Sequence, residues 1–291
     1  MALNADDFKE ALSGLPESEQ SLLLNQLCAP QFRGKLTDFD SPAIDLAQAL
    51  LPLAATFSIA PISGFHVGAV AVGASGALYL GSNLEFTGAP LSATLHAEQS
   101  AVLNAWMHGE SKLQALTISA APCGYCRQFL WELSNAPTLP IIVGQTQTTL
   151  SQLLPMPFGE PRQSGQGLLD SPPSKLQSTT PIKQTTAQRA INAAQHSYTP
   201  YTHTPEGFVI KCADGQHFTG RTAENIAFNP SVPAVLSALN QRNLSNSRNV
   251  TIHRCTQAKL ATSQHSSNEL AAAIIRSISK ATIQTVLVES A

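Results

Sequence analysis

His96 and Glu98 stand two residues apart, and Cys123 and Cys126 follow downstream as a C-x-x-C pair behind Pro122. One imidazole and two thiolates can hold a divalent cation, zinc being the one such donors favour, with its fourth position left open. Water in that position loses its proton near neutral pH, and a carboxylate beside the imidazole can take the proton and return it to a substrate. Two thiolates also balance the charge of the cation, so the group tolerates burial. The chemistry these residue types suggest is hydrolysis. A C-x-x-C pair alone is less specific, because structural zinc sites and redox proteins also use it. Structural zinc needs a fourth protein ligand, for which only His66 or His108 could be recruited; a redox pair leaves His96 and Glu98 without a task.

Such a group needs elements to position it. The pattern predicts a helix over 93–108, a strand over 113–120, a helix over 123–135 and a strand over 139–144. Both halves of the cluster then fall in the first turns of helices, where the backbone dipole favours thiolates. Arg127 is placed to hydrogen-bond a ligating sulfur. Upstream, apolar runs at 65–72 and 76–81 flank Gly73-Ala74-Ser75-Gly76 as in a β-hairpin. Helical patterns cover 7–12 and 17–27, and a further helix starts at Asp40-Ser41-Pro42 and continues over 43–57, kinked or shortened at Pro52. Strands alternating with helices predict an α/β layered domain.

The chain repeats itself at an offset of 139 residues: Ser58, Pro61, Gly68, Gly76, Tyr79, Gly81 and Glu85 fall on Ser197, Pro200, Gly207, Gly215, Phe218, Gly220 and Glu224. Matching glycines mean matching turns, so the second half should share the fold. The donors are not repeated: His96 falls on Val235, Glu98 on Ser237, Cys123 on Thr262 and Cys126 on His265. Between the halves the composition turns to Pro, Gly, Ser, Gln and Thr, with little that could form a core. The expected organisation is a helical N-terminal segment (1–40), a domain with the metal (41–150), a linker (151–181) and a metal-free copy (182–291).

Composition bounds the function. With 17 basic and 19 acidic residues among 291, there is no basic stripe for a polynucleotide, so no nucleic-acid partner is expected. The N-terminus carries no signal-like apolar run and no segment is of membrane-spanning length, which predicts a cytoplasmic protein with no membrane partner. Five cysteines, an odd number, argue for reduced thiols, with Cys28, Cys212 and Cys255 read as small buried hydrophobes.

His96-Ala97-Glu98 with Pro122-Cys123-x-x-Cys126 matches the signature of zinc deaminases. Together with Ser63-Gly64-Phe65-His66-Val67-Gly68-Ala69, Asn83-Leu84-Glu85 and Arg127-Gln128, the chain resembles the cytidine deaminase family over nearly its whole length, in the long two-domain form. The resemblance implies a three-layer α/β/α domain duplicated in tandem, one Zn²⁺ per chain on His96, Cys123 and Cys126, and Glu98 as proton shuttle. It implies that Asn83 and Glu85 hold the ribose 3′-hydroxyl and that Phe65 packs near the pyrimidine. It further implies a homodimer whose second domain closes the partner's site, with Phe228 a candidate to reach across. The expected reaction is deamination of cytidine and deoxycytidine by attack of zinc-bound hydroxide on C4, releasing ammonia, in pyrimidine salvage. Deoxycytidylate, guanine and adenosine in transfer RNA are the alternative substrates, and a zinc module used only for assembly is the alternative of another class.

Overall fold

A computed structural model describes residues 5–263 and 267–291. The N-terminal segment folds as α1 (Ala5–Leu12) and α2 (Glu17–Leu27), followed by the two-residue strand β1 (Lys35–Leu36). The helix expected over 43–57 forms as two, α3 (Ala43–Ala49) and α4 (Leu51–Thr56), with Pro52 in the first turn of the second, where its missing N–H does no harm. Pro42 takes the cap position of α3, and the Ser41 hydroxyl donates to Glu19 at 3.2 Å instead of capping the helix.

The predicted hairpin is β2 (Gly68–Gly73) and β3 (Leu78–Ser82). Next come α5 (Ala97–Met107), β4 (Leu113–Ile118), α6 (Gly124–Leu130), β5 (Pro140–Val143), β6 (Thr146–Thr149) and the single turn α7 (Leu150–Leu153). Both site helices are shorter than the pattern predicts. Leu95 pairs with Leu84 across an antiparallel bridge, which keeps 94–96 extended and leaves His96 at the cap of α5. Cys123 likewise caps α6, and after Leu130 the chain runs through turns toward Pro137. The sheet order is β1-β3-β2-β4-β5-β6, antiparallel except for β4 with β5.

Alternation along the hairpin sets the layers. Gly68 faces α4, where an added Cβ would meet Leu51 O at 2.4 Å; Gly81, on the opposite face, would meet the α5 backbone at 2.3 Å. Val70, Val72, Leu78 and Leu80 accordingly join the core beneath α1–α4, while Ala69, Ala71, Tyr79, Leu116 and Ile118 join the core under α5 and α6.

The second half contains β7 (Leu176–Ser178), α8 (Thr185–Gln195), β8 (Glu206–Cys212), β9 (His217–Arg221), α9 (Ala234–Asn243), β10 (Ile252–Leu260), α10 (Asn268–Ile278) and β11 (Ile283–Ser290). Its sheet order is β7-β11-β10-β8-β9, in which β9-β8-β10-β11 repeats β3-β2-β4-β5, the last pair again parallel; β1 has no counterpart, and the edge strand β7 precedes the hairpin where β6 follows it. Gly207 approaches α8 and Gly220 approaches α9 as Gly68 and Gly81 approach α4 and α5. The two halves share one core through the facing helices α5 and α9, joined by the Asn240 Nδ2 bond to Ser100 O at 2.9 Å.

The 151–181 stretch has little regular structure, yet it is anchored. Leu168 is fully buried, Trp131 Nε1 donates to Gly159 O at 3.0 Å, the Gln128 amide bonds both main-chain groups of Phe158, and β7 pairs with β11. Most of these anchors use main-chain atoms, which composition does not reveal. Cys212 and Cys255 are buried as predicted, but Cys28, at the end of α2, is exposed.

Candidate active site

Two helix starts meet at the edge of β2 and β4. His96 Nδ1 lies 3.5 Å from Cys123 Sγ, and the donor atoms of His96, Cys123 and Cys126 all lie within 4.8 Å of one another. Among the described residues this is the one His/Cys/Asp/Glu group gathered closely enough to hold a metal ion. His66 and His108 stay outside it, His66 Nδ1 bonding the Ser58 hydroxyl and His108 Nδ1 the carbonyl of Asn104. That removes the candidates for a fourth protein ligand. Two sulfurs and one nitrogen form a donor set that suits zinc.

Electrostatics favour ligation. A bond from Cys126 and then one from His96 bring the Cys123 thiol down to about 3, and the Cys123 partner raises His96. Cys126 moves up, through its bond to Cys123 and its burial. Protons held in this way are the ones a cation displaces. Glu98 is 5% exposed, and burial pushes its carboxyl up. It lines a cavity of about 210 Å³ together with Phe65, Val67, Asn83, Thr94 and the donor residues His96 and Cys123.

Asn83 lines this cavity and Glu85 follows two residues on, both with hydrogen bonds committed to the protein. Asn83 Oδ1 accepts from Ser58 Oγ at 2.7 Å and Val67 N at 2.9 Å, and its Nδ2 donates to Phe65 O at 2.9 Å. Glu85 accepts from the backbone of Ile62 at 2.9 Å and Ser63 at 3.0 Å, and from the Ser63 hydroxyl. Burial alone would raise the Glu85 pKa, but the donors of Ser63 and Ile62 hold it low. Phe65 stands at the mouth, 61% exposed. Arg127 does not serve the sulfurs as predicted: Nε donates to Pro122 O at 2.8 Å and Nη1 to Leu153 O at 2.9 Å, so it braces the loop that carries Cys123.

The second half repeats the Glu85 cradle, with Glu224 Oε2 accepting from Tyr201 N at 3.0 Å and Thr202 N at 3.2 Å. Beyond it the gapless alignment slips. Gly81 meets Ala97 and Ala101 whereas Gly220 meets Ala234 and Ala238, an offset of 137 residues. Pro233 therefore stands where His96 stands, and Val235 where Glu98 does. His265, expected opposite Cys126, lies outside the described residues. The corresponding cavity is larger, about 400 Å³, with Pro233, Phe228, Thr222 and Glu224 among its lining and no imidazole or thiol among the described residues that line it.

Comparison with known proteins agrees with this arrangement. The cytidine and deoxycytidylate deaminase zinc-binding region matches twice, at residues 43–141 and 150–272. Cytidine deaminase of Pectobacterium carotovorum is 43% identical over 251 residues, 82% of this chain and 83% of its own. The chain belongs to the cytidine and deoxycytidylate deaminase family. Cytidine deaminases of Serratia proteamaculans (42% identical, 82% of this chain, 84% of that one) and Yersinia pestis (40%, 85% and 87%) agree with this assignment. Membership makes zinc the cofactor and the tandem α/β domains a duplicated deaminase fold. No helix among the described residues is long and apolar enough to cross a membrane.

Sequence reasoning missed Gln99, Tyr125 and Glu132, which tie the site to the second half. Gln99 Nε2 donates to Pro230 O at 3.0 Å, and the Tyr125 hydroxyl donates to Asn229 O. No local spacing marks them.

Proposed function

We propose that this chain hydrolyses cytidine and deoxycytidine to uridine and deoxyuridine, releasing ammonia. The observation that carries the reading is a buried carboxylate, Glu98, that shares one small cavity with His96 and Cys123 of a His/Cys/Cys group, in a chain over 40% identical to a protein named cytidine deaminase. His96, Cys123 and Cys126 would hold the zinc, which when bound supplies a Lewis acid that lets water act as nucleophile at neutral pH. Glu98 takes a proton from that water, delivers it to N3 of the pyrimidine, and then carries a second proton to the departing amino group at C4. Its raised pKa suits both acceptance and return. Phe65 packs on the base; Asn83 and Glu85 present the rim that meets the ribose. A low-pKa carboxylate there repels a phosphate, which favours nucleosides over deoxycytidylate and RNA.

The cavity is smaller than the roughly 300 Å³ at which ligand pockets usually begin, and Phe65 leaves its mouth open. This supports closure by a second copy in a homodimer. Phe228, 62% exposed at positive φ (59°), suits the reaching side chain. We read the organisation as a helical segment (1–40), a catalytic domain (41–150), a connection (151–181) and a metal-free domain (182–291). A cytoplasmic role in pyrimidine salvage accords with this substrate.

Replacing Glu98 with Ala tests the mechanism: zinc content should hold while turnover of cytidine collapses, and near-normal turnover would refute the assignment. Ammonia release from cytidine, deoxycytidylate and RNA, assayed side by side, tests the substrate. Faster release from either of the latter overturns it.

A further inference from the structure

The proposed mechanism uses the front of α6, where Cys123 and Cys126 sit, and leaves its rear unexplained. Glu132, two residues past the helix end, is 1% exposed and carries a carboxylate. Its Oε2 accepts from the Tyr198 hydroxyl at 2.6 Å, the Tyr201 hydroxyl at 2.7 Å and Arg162 Nε at 3.1 Å; its Oε1 accepts from Ile226 N at 2.8 Å. The donors come from three stretches of chain: the 151–181 connection, the turn after α8, and the 224–231 loop of the second half. The Arg162 guanidinium also lies 5.0 Å over the Tyr201 ring. Burying a carboxylate is costly unless its acceptor sites are filled by well-placed donors, and both oxygens of Glu132 are filled.

The 224–231 loop held at this junction touches both helices that carry metal donors. Asn225 Nδ2 donates to Gln128 O of α6 at 2.8 Å, and the Tyr125 hydroxyl of α6 donates to Asn229 O. From α5, Gln99 Nε2 reaches Pro230 O, and the Tyr125 ring stands 5.7 Å from that of His96. One loop of the metal-free half thus braces the cap of α5 and the first turns of α6, and Glu132 fixes the near end of that loop.

We infer that Glu132, through Tyr198, Tyr201, Arg162 and Ile226, is a positioning residue for the metal centre, so that the second half holds the donor helices in register within the same chain. The inference rests on the reading of His96, Cys123 and Cys126 as the ligands. Outer contacts that orient ligands slow metal loss without touching the metal.

The test is zinc release from the loaded full-length chain into a colorimetric chelator, with thermal unfolding measured in parallel. Tyr201→Phe and Arg162→Gln each remove one donor from Glu132, and Glu132→Gln removes the charge. Tyr79→Phe is the control: it removes a hydroxyl that donates to the buried Glu110 at 3.2 Å, beyond the far end of α5 and roughly 16 Å from His96 by helix length. Release from the Tyr201 and Arg162 variants should be several-fold faster than wild type, below the roughly 10–100-fold that loss of a direct partner of a metal ligand costs, with Tyr79→Phe at the wild-type rate. Wild-type release from both junction variants overturns the inference, as does equal acceleration by Tyr79→Phe. Glu132→Gln must follow the other two if it folds, and the pair decides the matter if it does not. A wild-type chain that retains no zinc would strike instead at the ligand assignment.

Discussion

Glu110 gives a clean reading of charge outside the metal site. It is 5% exposed, and burial by itself would raise its pKa, but donors from Ser75, Tyr79 and Ser111 hold it below the ordinary 4.5. A carboxyl whose folded pKa is depressed contributes stability above its unfolded value, and that contribution is lost as pH falls through the folded one. Glu110→Gln should therefore lower stability at pH 7 and lose less on acidification from pH 7 to about pH 4 and below than the wild type does, measured by denaturant unfolding. Identical pH slopes would refute this. The same scale explains what the sequence could reveal of the site. His96, Glu98, Cys123 and Cys126 were legible because their relations are local, i to i+2 and i to i+3. Glu132 meets Ile226 across 94 residues and Gln99 meets Pro230 across 131, so nothing in their neighbourhoods announces them. Arg127 was misassigned for the same reason, since Leu153, its partner, is brought close only by folding.

Elements with a strong apolar pattern were read correctly in place and kind: the hairpin, its repeat, and the helices that cover them. Short edge strands were not. β6 reads TQTT and β7 reads LQS, too polar to show alternation, and they exist because a neighbouring strand offers them main-chain partners. The repeat was legible through its glycines because helices cross the sheets there at backbone contact. That gives a direct prediction. Gly81→Ala and Gly220→Ala each drive a methyl group to within 2.3 Å and 2.1 Å of helix backbone, so each should cost about 1–3 kcal/mol or more. Gly14→Ala, with open space around the added methyl, should stay within about 0.5 kcal/mol. Chemical denaturation of the three variants checks the order; a Gly220→Ala protein as stable as Gly14→Ala would show that the second helix–sheet contact is not as close as the first.

At the scale of the molecule, two sheets share one core through α5 and α9, and among the described residues the first half alone gathers a group of metal donors. On the proposed reading, the second half serves the metal site in two ways: from within the chain, through the 224–231 loop, and from a second chain, through Phe228. These two roles separate experimentally. A Glu98→Ala chain has no proton shuttle but an intact Phe228; a Phe228→Ala chain has the shuttle but lacks the proposed cover. If Phe228 acts in its own chain, co-refolding the two variants yields no activity beyond the average of the two alone. If it acts across a dimer, each mixed dimer regains one complete site. Random pairing would then restore up to about a quarter of the wild-type number of sites, because half the dimers are mixed and each has one good site. Cytidine turnover before and after co-refolding reads the outcome, and sedimentation of the wild type should give twice the chain mass over the same concentration range. Gain without a dimer, or a dimer without gain, would refute closure by the partner.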